Sequence, residues 1–172
     1  IMDYAFQNRY LLSGSVRRDA SNLFGVETNN KWTPLWSIGF GWNLHNEKFF
    51  KSSVINFLKL RGSLGYSGNV DNSMSALTTI QYFGYNNWSV PYPMARIVNL
   101  PNKELRWEKL RNVNVGIEFS AWNNSFSGSI DYYNKYTFDL FDTQPLDPTS
   151  GVSSMVLNAA NTKSRGFDAN LT

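Results

Sequence analysis

Glu104 and Glu108 flank Trp107 in "KELRWEK". Two carboxylates beside an aromatic ring are the residue types of glycoside hydrolysis, one protonating the leaving oxygen while the other attacks the sugar or activates water. The only histidine, His45, lies beside Asn46 and Glu47 in "NLHNEK". A lone imidazole in a polar turn reads as a solvated turn residue rather than a base or a metal ligand. The chain has no cysteine, so it carries neither thiol chemistry nor a disulfide framework. Neither a glycine-rich phosphate loop nor a Gly-x-Ser-x-Gly elbow occurs. These residues do not assemble an enzyme, and no cofactor or metal is expected.

A binding chemistry is better represented. In "QYFGYNNWSVPYP", Tyr82, Phe83, Tyr85, Trp88 and Tyr92 fall within eleven residues, interleaved with Gln81, Asn86 and Asn87. Aromatic faces beside amide donors suit stacking on, and hydrogen bonding to, a sugar or a peptide. The same rings also suit packing of a long loop against its neighbours or a covering partner. Both readings stand at this level.

Composition narrows the setting. Charged residues make up 17% of the 172 residues, against ~25% in an average soluble domain, while aromatic residues reach 16%. The net charge of +3 comes without a Lys/Arg run, which argues against nucleic-acid binding. No apolar run approaches the ~18 residues of a membrane-spanning helix. The N-terminal "IMDYAFQNRY" lacks the shape of a signal peptide, so export, if it occurs, is directed from upstream.

The elements that position these residues show a period of two. In "KWTPLWSIGFGWNL", Trp32, Pro34, Trp36, Ile38, Phe40, Trp42 and Leu44 form one surface, and Thr33, Leu35, Ser37, Gly39, Gly41 and Asn43 the other. Such alternation is that of a β-strand, whose side chains point to opposite faces in turn. Six stretches behave this way, near 8–19, 31–44, 57–68, 105–120, 125–140 and 162–172. Several exceed ten residues, where soluble strands run ~5–6. Connections are short at one end, as in "AWNN", and long and polar at the other, over 20–30, 69–104 and 141–161. That asymmetry is the habit of outer-membrane barrels, with short periplasmic turns and long outer loops.

Girdle spacing agrees. Trp32 and Trp42 bound the apolar surface ten residues apart. At ~3.3 Å per residue and a tilt of ~40°, they stand roughly 25 Å apart along the membrane normal, the height of a barrel's apolar band. Tyr10, Phe119 and Phe126 extend the inner girdle. A soluble β-sandwich, serving as a glycan-binding or adhesin domain, is the alternative; its second face would meet water and carry Lys, Glu and Thr. Here that face offers Gly, Ser, Thr and Asn. Arg18, Lys109 and Arg111 fall on the lipid-facing parity, all toward the long-loop ends. A cation costs ~2–4 kcal/mol at mid-bilayer but only ~0–1 near an interface. They are therefore read as contacts to phosphates of outer-leaflet lipid. The charges of the other parity, Arg17, Asp19, Lys59, Arg61, Glu118, Asp131, Lys135 and Asp139, are read mainly as ion pairs along the lumen.

The stretches "NRYLLSGSVRRDASNLFG", "PLWSIGFGWNLHNEKFF", "LKLRGSLGYSGN", "ELRWEKLRNVNVGIEF" and "GSIDYYNKYTFDLF" resemble, in this order, consecutive barrel segments of the SusC/RagA family of TonB-dependent outer-membrane transporters. Within that likeness Glu108 belongs to the "LRWEK" element, which favours a structural role at a strand entry. The resemblance implies an all-β fold, an antiparallel transmembrane β-barrel segment of about six long strands from a 22-strand-type barrel. Residues 1–172 would all be barrel, the plug domain and the TonB-contacting segment having no counterpart in them. It implies import of oligosaccharides or peptides across the outer membrane of a Gram-negative bacterium. The implied partners are a SusD-like surface lipoprotein, TonB and outer-membrane lipid.

Overall fold

A computed structural model describes residues 1–21, 32–71, 75–84 and 92–172. Its strands are β1 (Met2–Phe6), β2 (Tyr10–Ala20), β3 (Trp32–Asn43), β4 (Ile55–Asn69), β5 (Thr79–Phe83), β6 (Met94–Asn99), β7 (Glu108–Ala121), β8 (Phe126–Pro145) and β9 (Ser154–Leu171). Seven of them make one antiparallel sheet in the order β1-β2-β3-β4-β7-β8-β9, and β5 and β6 pair as a separate hairpin. All pairings in the large sheet are antiparallel and its strands follow chain order, with the β5–β6 hairpin set aside between β4 and β7.

The six expected strands are β2, β3, β4, β7, β8 and β9, and the structure adds three. β1 is five residues of modest alternation, held by a tight turn in which Gln7 and Asn8 both take positive φ and Arg9 N–H bonds the Phe6 carbonyl at 2.9 Å. Two successive positive φ values give the turn whose twist matches paired strands. The hairpin β5–β6 lies inside the connection expected to be an irregular loop. The stretch 141–161, also expected to be a loop, is mostly strand: β8 continues to Pro145 and β9 begins at Ser154. Between them Pro148–Ser150 form a short 3-10 turn, followed by Gly151 at φ +76°.

Among the described residues the sheet has no second layer. Ile38 and Phe40 in the middle of β3 are 47% and 49% exposed, and Val115, Ile117 and Ile130 on the same face are open as well. The register places them in shared rows: Trp42–Leu60–Ile117–Ile130, above it Leu12–Phe40–Gly62–Val115–Tyr132–Phe167, and above that Gly14–Ile38–Leu64–Val113–Asn134–Arg165. A sandwich would have covered this face. Leaving it in water would forfeit ~1.5–3 kcal/mol for each large side chain, so something apolar outside the chain covers it.

Among the described residues the buried hydrophobic cluster lies at the long-loop end. Leu105 and Trp107 are buried with Ala76, and Val70, Phe141 and Val156 pack on them. This cluster ties the β4–β7 connection to the extended ends of β8 and β9. It explains why pairing continues there: Phe141 and Val156 give the extension something to bury.

Candidate functional site

The face opposite the apolar rows is polar and built around glycine. One row runs Leu11–Gly41–Arg61–Gly116–Asp131–Asp168. Because Gly116 has no side chain, Arg61 reaches across β7 and binds Asp131 through both Nη2 and Nε, with Nη2–Oδ2 at 2.7 Å. A Cβ on Gly116 would collide with the Asp131 carboxylate and press on Arg61 Nε. Arg61 Nη1 also meets Glu118 at 2.7 Å, and Lys59 lies 3.8 Å from the same carboxylate. In the next row the Tyr133 ring lies over Gly166, again using the space a glycine leaves.

Above these pairs Ser63, Asn112, Asn114, Tyr133 and Lys135 line a groove of about 530 Å³ with Arg61 and Asp131. Lys135 stands 5.2 Å from the centre of the Tyr133 ring. The charges of these neighbouring rows balance, three cations (Lys59, Arg61, Lys135) against Glu118, Asp131 and Asp168. Such a wall is hydrated and cross-braced without a strong field of either sign. Arg17 and Asp19 pair on this face at 2.9 Å, also as expected for lumen charges.

Asp139 departs from its expected place. The register slips between Thr137 and Leu140, and Asp139 takes φ +59°, a β-bulge that re-aims its side chain. Its carboxylate accepts from Arg106 Nη2 at 2.6 Å and Lys109 Nζ at 3.3 Å. Asn158 Nδ2 bonds the Asp139 and Arg106 carbonyls, and Asn158 Oδ1 accepts the Arg106 N–H. Glu108 is engaged too, accepting from Phe141 N–H at 3.1 Å and Asn69 Nδ2 at 2.9 Å. With Trp107 buried and Glu108 bonded to the Phe141 backbone, Glu108 is a strand-entry joint, while Glu104 is exposed. Arg106, Asn158 and the buried Asn102, which bonds the Val156 carbonyl, were invisible beforehand: nothing in their sequence neighbourhood marks a cross-strand partner some fifty residues away.

The rings expected to form girdles lie toward the two ends of the strands. At the short-turn end Tyr10 stacks on Trp42 at 6.1 Å and Trp42 meets Phe49 edge-on at 6.4 Å. Phe119 packs on Phe126 at 5.8 Å, with Trp122 beside it at 6.0 Å. Glu47 in the turn accepts the Trp42 indole N–H at 3.1 Å. That bond, with the Tyr10 hydroxyl and the nearby Arg9, holds the Glu47 carboxyl below the usual carboxylate range. His45 leans on Phe57 at 4.6 Å, with Nδ1 3.2 Å from the Leu58 carbonyl, tied into the same turn. At the long-loop end the Arg18 guanidinium lies 4.3 Å over Trp32, and Lys109 lies 5.7 Å over Phe138. Arg111 is exposed in a row with Tyr66 and Tyr136.

Of the aromatic outer stretch, Tyr85 and Trp88 lie outside the described residues. Tyr82 and Tyr92 are largely exposed on or beside the β5–β6 hairpin, and Phe83 is crossed by Arg96 at 5.1 Å. The Arg96 guanidinium also donates to Gln81 at 3.2 Å.

An open sheet with one apolar face, one glycine-and-ion-pair face and aromatic rims is a piece of barrel wall. A family model described as TonB dependent receptor-like, beta-barrel matches residues 2–172. The chain belongs to the TonB-dependent receptor β-barrel family. Proteins of this family are outer-membrane β-barrels of Gram-negative bacteria. TonB-dependent receptor P39 of Formosa agariphila is 34% identical over 172 residues, 98% of this chain and 16% of that protein. TonB-dependent receptor SusC of Bacteroides thetaiotaomicron is 32% identical over 153 residues, 83% of this chain and 15% of that protein. The RagAB peptide importer in its closed-closed state contains a chain that superposes with a TM-score of 0.84 at 27% identity, covering 98% of this chain and 18% of its own. In the open-open state the TM-score is 0.79 at 29% identity. The chain therefore spans about a sixth of the length of the relatives it matches.

Proposed function

We propose that this chain is wall and outer-loop structure of a transporter that imports oligosaccharides or peptides across the outer membrane, powered through TonB. Residues 1–172 are barrel in this reading, with the plug and the TonB-contacting segment supplied by the rest of the protein. A SusD-like surface lipoprotein closes over the outer loops, where substrate is caught, and solute passes the polar face once the plug moves. The chain performs no bond chemistry.

The observation that carries this reading is the division of one sheet into a lipid-type face and a hydrated, ion-paired face. A wall needs both, and a binding domain needs only one. Agreement in fold along nearly the whole chain with a peptide importer supports it. The aromatic outer stretch is assigned to contact with substrate or lid through Tyr82, Phe83, Tyr85, Trp88 and Tyr92.

Uptake by cells carrying the full-length protein tests the proposal. Labelled oligosaccharide and peptide mixtures should enter only when TonB and the proton-motive force are intact, and a Tyr85→Ala/Trp88→Ala variant should lower uptake at least threefold. Uptake unaffected by loss of TonB contradicts the transport reading. Undiminished uptake in the double variant removes the aromatic stretch from the binding surface.

A further inference from the structure

The lipid-facing side carries a charge pattern that the wall itself does not require. In the continuous register below the bulge at Asp139, this face of β2, β3, β4, β7, β8 and β9 holds Arg18, Lys109, Arg111, Lys163 and Arg165 and no Asp or Glu. All five lie toward the long-loop end. Two are engaged within the chain, Arg18 over Trp32 and Lys109 with Phe138 and the bulged Asp139. Arg111, Lys163 and Arg165 have no acidic partner among the described residues. The register brings these three together: Arg111 and Lys163 both stand opposite Tyr136, and Arg165 stands opposite Asn134, one step closer to the short turns.

Their height is set by the same register. Tyr136 is ten residues above Phe126, the inner-girdle ring of its strand, which is roughly 25 Å along the normal and so the upper edge of the apolar band. Arg111 and Lys163 therefore sit where the hydrocarbon ends. Arg165 lies ~5 Å lower by the same arithmetic, within the reach of a long side chain that lifts its charged end to the interface. Below them the face is Ile117, Ile130, Tyr132 and Phe167, a surface for acyl chains. Two guanidinium forks and an ammonium around a tyrosine hydroxyl match an oxyanion with several acceptor oxygens, since guanidinium binds phosphate in bidentate fashion.

We propose that Arg111, Lys163 and Arg165 form a binding site for the phosphate of a phosphorylated glycolipid of the outer leaflet, seated with its acyl chains against β7–β9. The site goes beyond the import reading but rests on the lipid-facing assignment of that surface. It differs from the sequence-based set in that Lys109 and Arg18 are turned to other partners, and Lys163 and Arg165 take their place.

Native mass spectrometry of the full-length protein, given lipid A or its dephosphorylated form, reads the site directly. Phosphorylated lipid A is expected to be retained at least tenfold more than the dephosphorylated lipid. An Arg111→Gln/Lys163→Gln/Arg165→Gln variant should lose that preference, and the charge-keeping Arg111→Lys/Arg165→Lys variant should retain a preference smaller than the parent's, because the charge stays but the bidentate forks are gone. Should the triple variant fail to insert, the single Arg111→Gln and Lys163→Gln proteins are each expected to lose at least threefold. Equal retention of the two lipids, or an undiminished preference in the Gln variants, overturns the site. Because uptake is not the readout, either result leaves the transport reading to its own test.

Discussion

At the scale of single residues, glycines on the lumen face act as spaces that let charges meet. Gly116 is the clearest case, since the Arg61–Asp131 contact passes through the position where a Cβ would sit. Gly116→Ala should therefore separate the pair or push β7 away from its neighbours, at a cost of ~1–3 kcal/mol typical of overpacking. Thermal unfolding of the detergent-solubilised full-length protein, read by heat-modified gel migration, should shift downward. Gly84, which has open space around it, should accept alanine without a shift. A Gly116→Ala protein as stable as the parent would show that the ion pair is not held by this gap. None of this could be read from the sequence, where Gly116 is only one more small residue of correct parity; its meaning depends on which residues stand on the two adjacent strands.

At the scale of elements, the bulge at Asp139 marks where membrane wall gives way to outer structure. The ten residues above Phe126 span the apolar band, and beyond them β8 and β9 continue as a paired extension. The bulge re-aims Asp139 to fasten Arg106 and Lys109, and with Asn158 it clamps the loop entry to that extension. Replacing Asp139 by Ala removes the carboxylate and leaves a Cβ residue at φ +59°, a conformation that Asn, Asp and Gly tolerate best. The combined loss is of order 1–3 kcal/mol after allowance for partial exposure. Limited proteolysis within 146–153 of the full-length protein should thus speed up most for Asp139→Ala, less for Asp139→Gly, which relieves the backbone, and least for Asp139→Asn. Equal cleavage in all four proteins would mean that the bulge does not anchor the extension. The six long strands were legible because their alternation persists over ten residues or more. β1, β5 and β6, at five or six residues, are too short for a period to declare itself, and the extension lies beyond register slips that break the alternation. Pairing of the extension is supported by the small cluster of Leu105, Trp107, Phe141 and Val156, contacts between segments far apart in the chain.

At the scale of the whole molecule, the sheet is intelligible only with lipid on one side and a hydrated passage on the other. The buried hydrophobic residues of the described chain are few: Leu35, Ala76, Leu105, Trp107 and Ala121. A soluble domain of this length would bury many more, and the sandwich alternative needs a second layer that the strands do not form. The sequence already divided the two faces of β3 correctly, because a period of two survives any tertiary arrangement. What it left open was where each lumen charge finds its partner. Spin labels at Ile38→Cys, Phe40→Cys, Ser37→Cys and Ser63→Cys of the full-length protein in vesicles measure the division of faces directly. Collision rates with dissolved oxygen, which concentrates in hydrocarbon, should exceed those with a water-soluble nickel chelate at positions 38 and 40, and the order should reverse at 37 and 63. Chelate-dominated relaxation at 38 and 40, or the same ratio at all four positions, would contradict a lipid-facing β3.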